Sequence, residues 1–310
     1  MAKSKFQRRF HIFMNKKKLF SLFSLLVVGL IVLAGCSKSN SDSSSSSKDG
    51  KISIVTSTNI YADIAKNIVG KYGTAQAVVT GDTDPHDFEP KTSDAKNIQS
   101  ADIIVANGLG YDSWLDKLAD ASDKKVIKVG NDIMKLKGDA NPHIWYDLNM
   151  PIEYTNYLVR RLSKLDKKHA SYYKENGRKY IAKIQKIKDI AAKIDGKNSK
   201  PVFVSEPVFD YALNATGFKI GDKDFEDAIE KGTDPTPQVI NKMNKAITGK
   251  KIAFFVNNTQ VESSTVSSFV KKAKANNIPI LSVRETMPNG TTYLKWMTQN
   301  YENLAKAAKQ

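Results

Sequence analysis

Asp102-Ile103-Ile104-Val105-Ala106-Asn107 is an apolar run closed by a polar residue at each end, with no polar residue alternating inside it. A strand with that pattern is covered on both faces, which is the condition in parallel sheets flanked by helices. The neighbouring stretches fit this reading. Upstream, Lys51 to Thr56 is β-branched and alternating, and Ser57-Thr58-Asn59 supplies capping residues for a helix whose apolar face is Ile60, Ile64 and Ile68. Gln76 to Thr80 reads as a short strand, and Thr92-Ser93-Asp94 opens a helix to Ser100. Downstream come a helix from Tyr111 to Ala121 with Trp114, Leu115 and Leu118 inward, a strand from Lys125 to Val129, and a helix from Pro151 to Leu165. Alternation at this spacing predicts a parallel-sheet α/β lobe over residues 51–165.

A second lobe is expected over 197–310. Pro201 to Glu206 reads as a strand, and Pro207 opens a helix to Leu213 at a position where its missing N–H costs nothing. Residues 219–238 read as acidic and turn-rich, with Asp234-Pro235-Thr236-Pro237 capping a helix from Gln238 to Ala246. Lys251 to Val256 and Ile278 to Val283 read as strands, Ser264 to Ala275 and Tyr293 to Ala307 as helices. Between the lobes, 166–196 is expected to form one linking helix, capped by Asp166 and stopped by Gly196, with an apolar stripe through Tyr172, Tyr173, Tyr180, Ile184, Ile187 and Ile194. About 28 helical residues would span roughly 42 Å, enough for a rigid spine. His169, set among lysines, is expected to be solvated. The predicted class is therefore α/β, two parallel-sheet lobes bridged by one long helix.

The first fifty residues stand apart. Arg8, Arg9 and Lys16 to Lys18 precede an apolar run from Leu19 to Ala34, which reads as an export signal over 1–35. At about sixteen residues the run is short for a membrane span, which needs roughly twenty. It ends in Leu33-Ala34-Gly35-Cys36, which resembles the lipobox of bacterial lipoproteins; Cys36 is the only cysteine, and with its thiol acylated as that resemblance implies, neither a disulfide nor a thiolate metal site remains. The Ser-rich segment within 36–50 cannot bury enough apolar area to order itself and reads as a tether.

The net charge of +16 in 310 residues suggests a nucleic-acid partner until it is divided. Residues 1–35 hold seven of the basic side chains and no acid, which leaves +9 for the remainder. The remaining lysines are scattered along helices, as at Lys183, Lys186 and Lys188, without interleaved aromatics. That pattern is a solvated face, attracted at most to an anionic envelope, and no nucleic acid is expected as partner.

Two stretches carry the chemistry. Asp84-Pro85-His86-Asp87-Phe88-Glu89-Pro90 and Asn141-Pro142-His143-Ile144-Trp145 each hold a histidine behind a proline, at the C-terminal side of a predicted strand. Ligands of such sheets collect at that edge. In the second lobe Glu206 and Glu285 also stand at the ends of predicted strands, with a helix-capping role as the lesser reading of Glu206. Two imidazoles and two carboxylates suit zinc, manganese or ferrous iron. The roles of Asn59, Asp84 and Asp87 stay open.

These features occur in order with Phe209 and Tyr211 behind Glu206, and with Thr286-Met287-Pro288 and Thr292-Tyr293 behind Glu285. Together they resemble the zinc- and manganese-binding substrate-binding lipoproteins of bacterial ABC importers, cluster A-I, along essentially the whole mature sequence. The resemblance implies lipidation at Cys36 and a metal in the cleft between lobes, held by His86, His143, Glu206 and Glu285. It further implies Mn²⁺ or Zn²⁺ as transported ligand, a permease and its ATPase as partners, and a lipid-anchored monomer on the extracellular face of the cell membrane. Members of the family that prefer zinc usually have His at the third ligand position and a His-rich loop. Here Glu206 stands at that position and 112–140 contains no histidine, which leans towards manganese, whereas the Irving–Williams order favours zinc for any such donor set. Protonation of the imidazoles below about pH 6 should weaken binding, and a rigid spine predicts small tilting on release. No enzyme is expected. The alternatives are a secreted metallohydrolase, disfavoured by four ligands and no His-Glu-x-x-His helix, and an adhesin with a structural metal.

Overall fold

The computed structural model describes residues 50–81, 83 and 88–309. Residues 1–35, Cys36, the tether and His86 lie outside them, as do Asp84 and Asp87.

In the first sheet β1 (Ile52–Thr58), β2 (Gly73–Val79), β3 (Ile103–Ala106) and β4 (Val126–Lys128) run parallel in the order β2-β1-β3-β4. All four side chains of β3 are buried, as its unbroken apolar run requires. Helices α1 (Asn59–Val69), α2 (Thr92–Ser100) and α3 (Trp114–Asp120) make the connections. In α3 Leu115 and Ala119 are fully buried, whereas Trp114 and Leu118 are half-buried and pack against that layer.

The second sheet is a parallel β5-β6-β7 array of β5 (Phe203–Val204), β6 (Phe255–Asn258) and β7 (Ile280–Val283). The expected strand 201–206 is only two residues long in the ladder; Val202 bridges Ile220 instead, Ser205 still donates to the Val256 carbonyl at 2.9 Å, and Glu206 leads into a 3-10 turn at Pro207. The strand expected at 251–256 lies later, since pairing with β7 continues to Asn258 opposite Val283. Its last two residues are therefore asparagines, and the second, Asn258, reaches Glu206. The acidic stretch 219–238 contains an unexpected helix, Lys223–Glu230. It is set by Phe225, which is fully buried, and by Ile229 one turn on, packed against the same cluster. The remaining helices of this half are Asp210–Ala215, Pro237–Thr248, Ser264–Ala275 and Tyr293–Ala307. Thr236, Ser263 and Thr292 accept the N–H groups of Val239, Val266 and Lys295 at the starts of the last three.

The linking element is shorter than expected. A 3-10 turn, Lys167–His169, precedes a helix of 22 residues, Ala170–Ala191, about 33 Å long. Asp166 caps that turn through the N–H of His169. His169 is only partly solvated: its side chain is 25% exposed, its ring stacks on Tyr72 at 3.6 Å between centroids, and Nδ1 bonds to Asp166 Oδ2 at 2.6 Å. Helix Ala170–Ala191 packs against Met150–Leu165, α1 and Tyr293–Ala307. The close approach to Met150–Leu165 occurs at Gly177, where an added Cβ would lie 2.5 Å from Val159 Cγ2.

One continuous apolar cluster joins both sheets, from Ile54 and Val105 to Val204, Val256 and Leu281. Its centre is aromatic. Tyr146 packs edge-on against Phe209 and beside Trp296, while Tyr293 and Tyr301 donate to the carbonyls of Trp145 and Tyr146. The terminal helix also crosses to α1, where the Tyr293 N–H meets Asp63 Oδ2 at 3.0 Å. Covalent linkage through one helix is thus reinforced by packing. Among the described residues no helix is long and apolar enough to cross a membrane.

Candidate metal centre

His143 sits on the loop after β4, just before a 3-10 turn, Ile144–Tyr146. It is fully buried, 0% exposed. Pro142 before it restricts the loop, and the Asn141 side-chain oxygen accepts the His143 backbone N–H at 2.9 Å and faces ring Nδ1 at 2.8 Å. A carboxamide oxygen only accepts, so this contact assigns the ring proton to Nδ1 and makes Nε2 the atom with the lone pair. The ring lies beside Trp145, 5.2 Å between centroids, and Tyr111, 6.3 Å.

Glu206 and Glu285 lie two residues beyond the C-terminal ends of the outer strands β5 and β7 and line one cavity of about 1020 Å³, together with Asn258, Gln260, Arg284 and Thr286. The Asn258 Nδ2 donates to Glu206 Oε2 at 2.8 Å. The Tyr111 hydroxyl donates to Glu285 Oε1 at 3.0 Å, so a side chain from the first half touches an acid of the second. Burial, with Glu285 beside it, holds the Tyr111 hydroxyl well above its ordinary pKa, so it stays a donor. Asn141 is a second crossing point: its Nδ2 donates to the Pro207 carbonyl at 2.6 Å, and Tyr211 donates to the Asn141 carbonyl at 2.8 Å.

The structure therefore brings Glu206 and Glu285 to one cavity and ties His143 to the residue after Glu206 through Asn141. It does not complete a ligand set. Among the described residues no three His, Cys, Asp or Glu side chains lie close enough together to hold an ion, and the remaining expected ligand, His86, is outside them.

Sequence reasoning missed Glu230. It ends helix Lys223–Glu230, half-buried, and its carboxyl is pushed up to about 8 by burial first and then by the charges of Glu206 and Glu285. One turn earlier on that helix, Glu226 is fully buried against Asp210, and the Lys223 ammonium lies 3.0 Å from the Asp210 carboxylate and 2.5 Å from that of Glu226. Burial and the neighbouring acid raise the pKa of both carboxyls. Glu230 lies in a stretch whose many acids hide the helix. Tyr111, Asn258 and Gln260 left no signal either, because their partners are distant in sequence.

Residues 54–307 match the family model described as ZnuA, zinc-uptake complex component A, periplasmic. The chain belongs to the ZnuA family. Its relatives include the metal ABC transporter substrate-binding lipoprotein FimA of Streptococcus parasanguinis, 30% identical over 95% of this chain and 100% of the relative. The manganese ABC transporter substrate-binding lipoprotein PsaA of Streptococcus pneumoniae is 29% identical over 94% of this chain and 98% of its own length. Among solved structures, this chain is similar in fold to a Mn-bound mutant form of a periplasmic metal-binding protein from Candidatus Liberibacter asiaticus. The TM-score is 0.68 at 22% identity, over 83% of this chain and 100% of that one. The substrate-binding protein FpvC of Pseudomonas aeruginosa in complex with Mn²⁺ gives 0.69 at 21% identity, over 84% of this chain and 98% of that one. These likenesses establish the two-sheet α/β fold for this ZnuA member.

Proposed function

We propose that this chain is the lipid-anchored substrate-binding component of an ABC importer, not an enzyme, and that it captures a divalent manganese or zinc ion outside the cell and hands it to the permease and its ATPase. His86, His143, Glu206 and Glu285 are the proposed ligands, with Cys36 the acylated residue and 51–165 and 197–310 the two lobes. One observation carries the reading: the two acids share a cavity, and one of them is bonded to Tyr111, which packs beside the His143 ring. Two carboxylates would offset the charge of a divalent ion in a partly buried site, where an unpaired charge is costly, and the tautomer assigned to His143 offers it a lone pair. The packed aromatic core between sheets supports release through a small tilt in place of wide hinge opening.

Elemental analysis of protein purified without added metal, followed by titration with Mn²⁺ and Zn²⁺ in competition, tests the function. The expected result is one ion per chain, lost in His143→Ala and Glu285→Gln, and loss of metal uptake in a deletion strain. Absence of stoichiometric Mn²⁺ or Zn²⁺ binding by the wild-type chain overturns the proposal.

A further inference from the structure

β6 lies between β5 and β7, so the chain leaving its C-terminal end emerges between the two strand ends that carry Glu206 and Glu285. Asn258, the last residue of β6, is 2% exposed. Each of its polar groups is engaged: the backbone N–H donates to Ser205 Oγ at 2.8 Å, Oδ1 accepts the N–H of Gln260 at 3.2 Å, and Nδ2 donates to Glu206 Oε2 at 2.8 Å. Two residues on, Gln260 reaches the other acid through its backbone. Its Oε1 accepts the N–H groups of Glu285 at 2.9 Å and Thr286 at 3.0 Å, and its Nε2 donates to Thr286 Oγ1 at 2.9 Å. A three-residue unit at the end of the central strand thus grips one acid by its carboxylate and the other by its main chain.

Resting on the metal-capture reading, we infer that Asn258 and Gln260 are positioning residues that set the separation of the two carboxylates and, through Asn258, the ion that the site prefers. The chemistry is a competition for Glu206 Oε2. An amide N–H on that oxygen must be given up or weakened if the carboxylate is to offer both oxygens to an ion. Manganese favours octahedral, oxygen-rich coordination, which a two-oxygen carboxylate helps to fill, whereas zinc is satisfied by four single donors. Asn258 therefore holds Glu206 in the single-oxygen mode that suits the smaller coordination number. Gln260 acts on distance alone, because it touches no carboxylate oxygen of Glu285.

Two variants separate these roles. Asn258→Leu keeps the volume of the side chain and removes the donor. Its dissociation constant for Zn²⁺ is expected to rise by about ten- to a hundredfold, as for other residues that orient metal ligands. That for Mn²⁺ should rise less, so that the zinc-to-manganese preference falls by at least threefold. Gln260→Leu keeps the Asn258 contact and is expected to weaken both ions by a similar factor, leaving the preference unchanged. Gln260→Glu, which retains the oxygen accepting the two N–H groups, should bring the affinity for both ions back near normal, again with the preference unchanged. Competition titration gives the ratios, and the melting temperature of the metal-free protein is measured on the same samples. A purely structural role predicts a lower melting temperature with an unaltered preference in Asn258→Leu, and that outcome overturns the inference. Should Asn258→Leu fail to fold, unchanged affinities in Gln260→Leu overturn it instead. Failure of the wild-type chain to bind either ion would sink the metal-capture reading itself. Wild-type binding that Asn258→Leu leaves unaltered sinks only the positioning roles.

Discussion

The side-chain oxygen of Asn141 lies 2.8 Å from Nδ1 of His143, while the nitrogen of the same carboxamide reaches the carbonyl next to Glu206 at 2.6 Å. One side chain thus orients an imidazole from the first half of the chain and fastens it to the acid-bearing loop of the second. Asn141→Leu removes both contacts and is expected to weaken Zn²⁺ binding by about ten- to a hundredfold. Asn141→Asp keeps the acceptor for Nδ1 and should retain most of the affinity. Calorimetric titration measures the affinities, and the ¹⁵N shifts of the His143 ring report the tautomer: a ring protonated on Nε2 in the metal-free wild type would contradict the assignment.

Glu230 makes the stability of the metal-free protein depend on pH in a definite direction. Its folded pKa is raised from 4.5 to about 8, so across that interval the native state holds a proton that the unfolded chain has released. Stability from this group is fully present below about 4.5 and is lost as pH rises through 8. Glu230→Gln removes the dependence. Urea denaturation in the presence of chelator should show the variant gaining on wild type from pH 5 to pH 9, and a constant difference over that range would refute the shift.

Tyr293 donates to the Trp145 carbonyl at 2.6 Å inside the core that joins the two sheets. Tyr293→Phe leaves that carbonyl without this donor in a dry site and is expected to cost about 1–3 kcal/mol. Chemical denaturation of the metal-free protein measures the change, and a variant as stable as wild type would show that the bond contributes nothing net.

Gly177 marks the contact between helices Met150–Leu165 and Ala170–Ala191. A larger residue gains about 1 kcal/mol in helix propensity, but Val159 leaves no room for its Cβ. Overpacking at a β-branched neighbour costs about 1–3 kcal/mol, so Gly177→Leu is expected to be destabilised on balance. An equal or higher melting temperature would mean that the helices separate freely there.

The legible parts of the sequence were those written in local pattern. The unbroken apolar run of β3 announced a strand buried on both faces, and helices Ser264–Ala275 and Tyr293–Ala307 fall where their capping residues and periodicity put them. Where charge obscured the pattern, reading failed. Helix Lys223–Glu230 is hidden among acids because its apolar face is only two residues, and the lysines around His169 concealed a ring stacked on Tyr72, far back in the chain.

By itself the sequence determined the α/β class, the parallel alternation of strands and helices, and the positions of the acids at strand ends, because each follows from side-chain periodicity and turn chemistry within a few residues. Tertiary structure alone decided which groups meet at the site. Tyr111 with Glu285 spans 174 positions, Asn141 with Pro207 spans 66, and Asn258 with Glu206 spans 52. No local propensity encodes such partners. They are selected when the two sheets close on one apolar core and every buried donor and acceptor must find a mate.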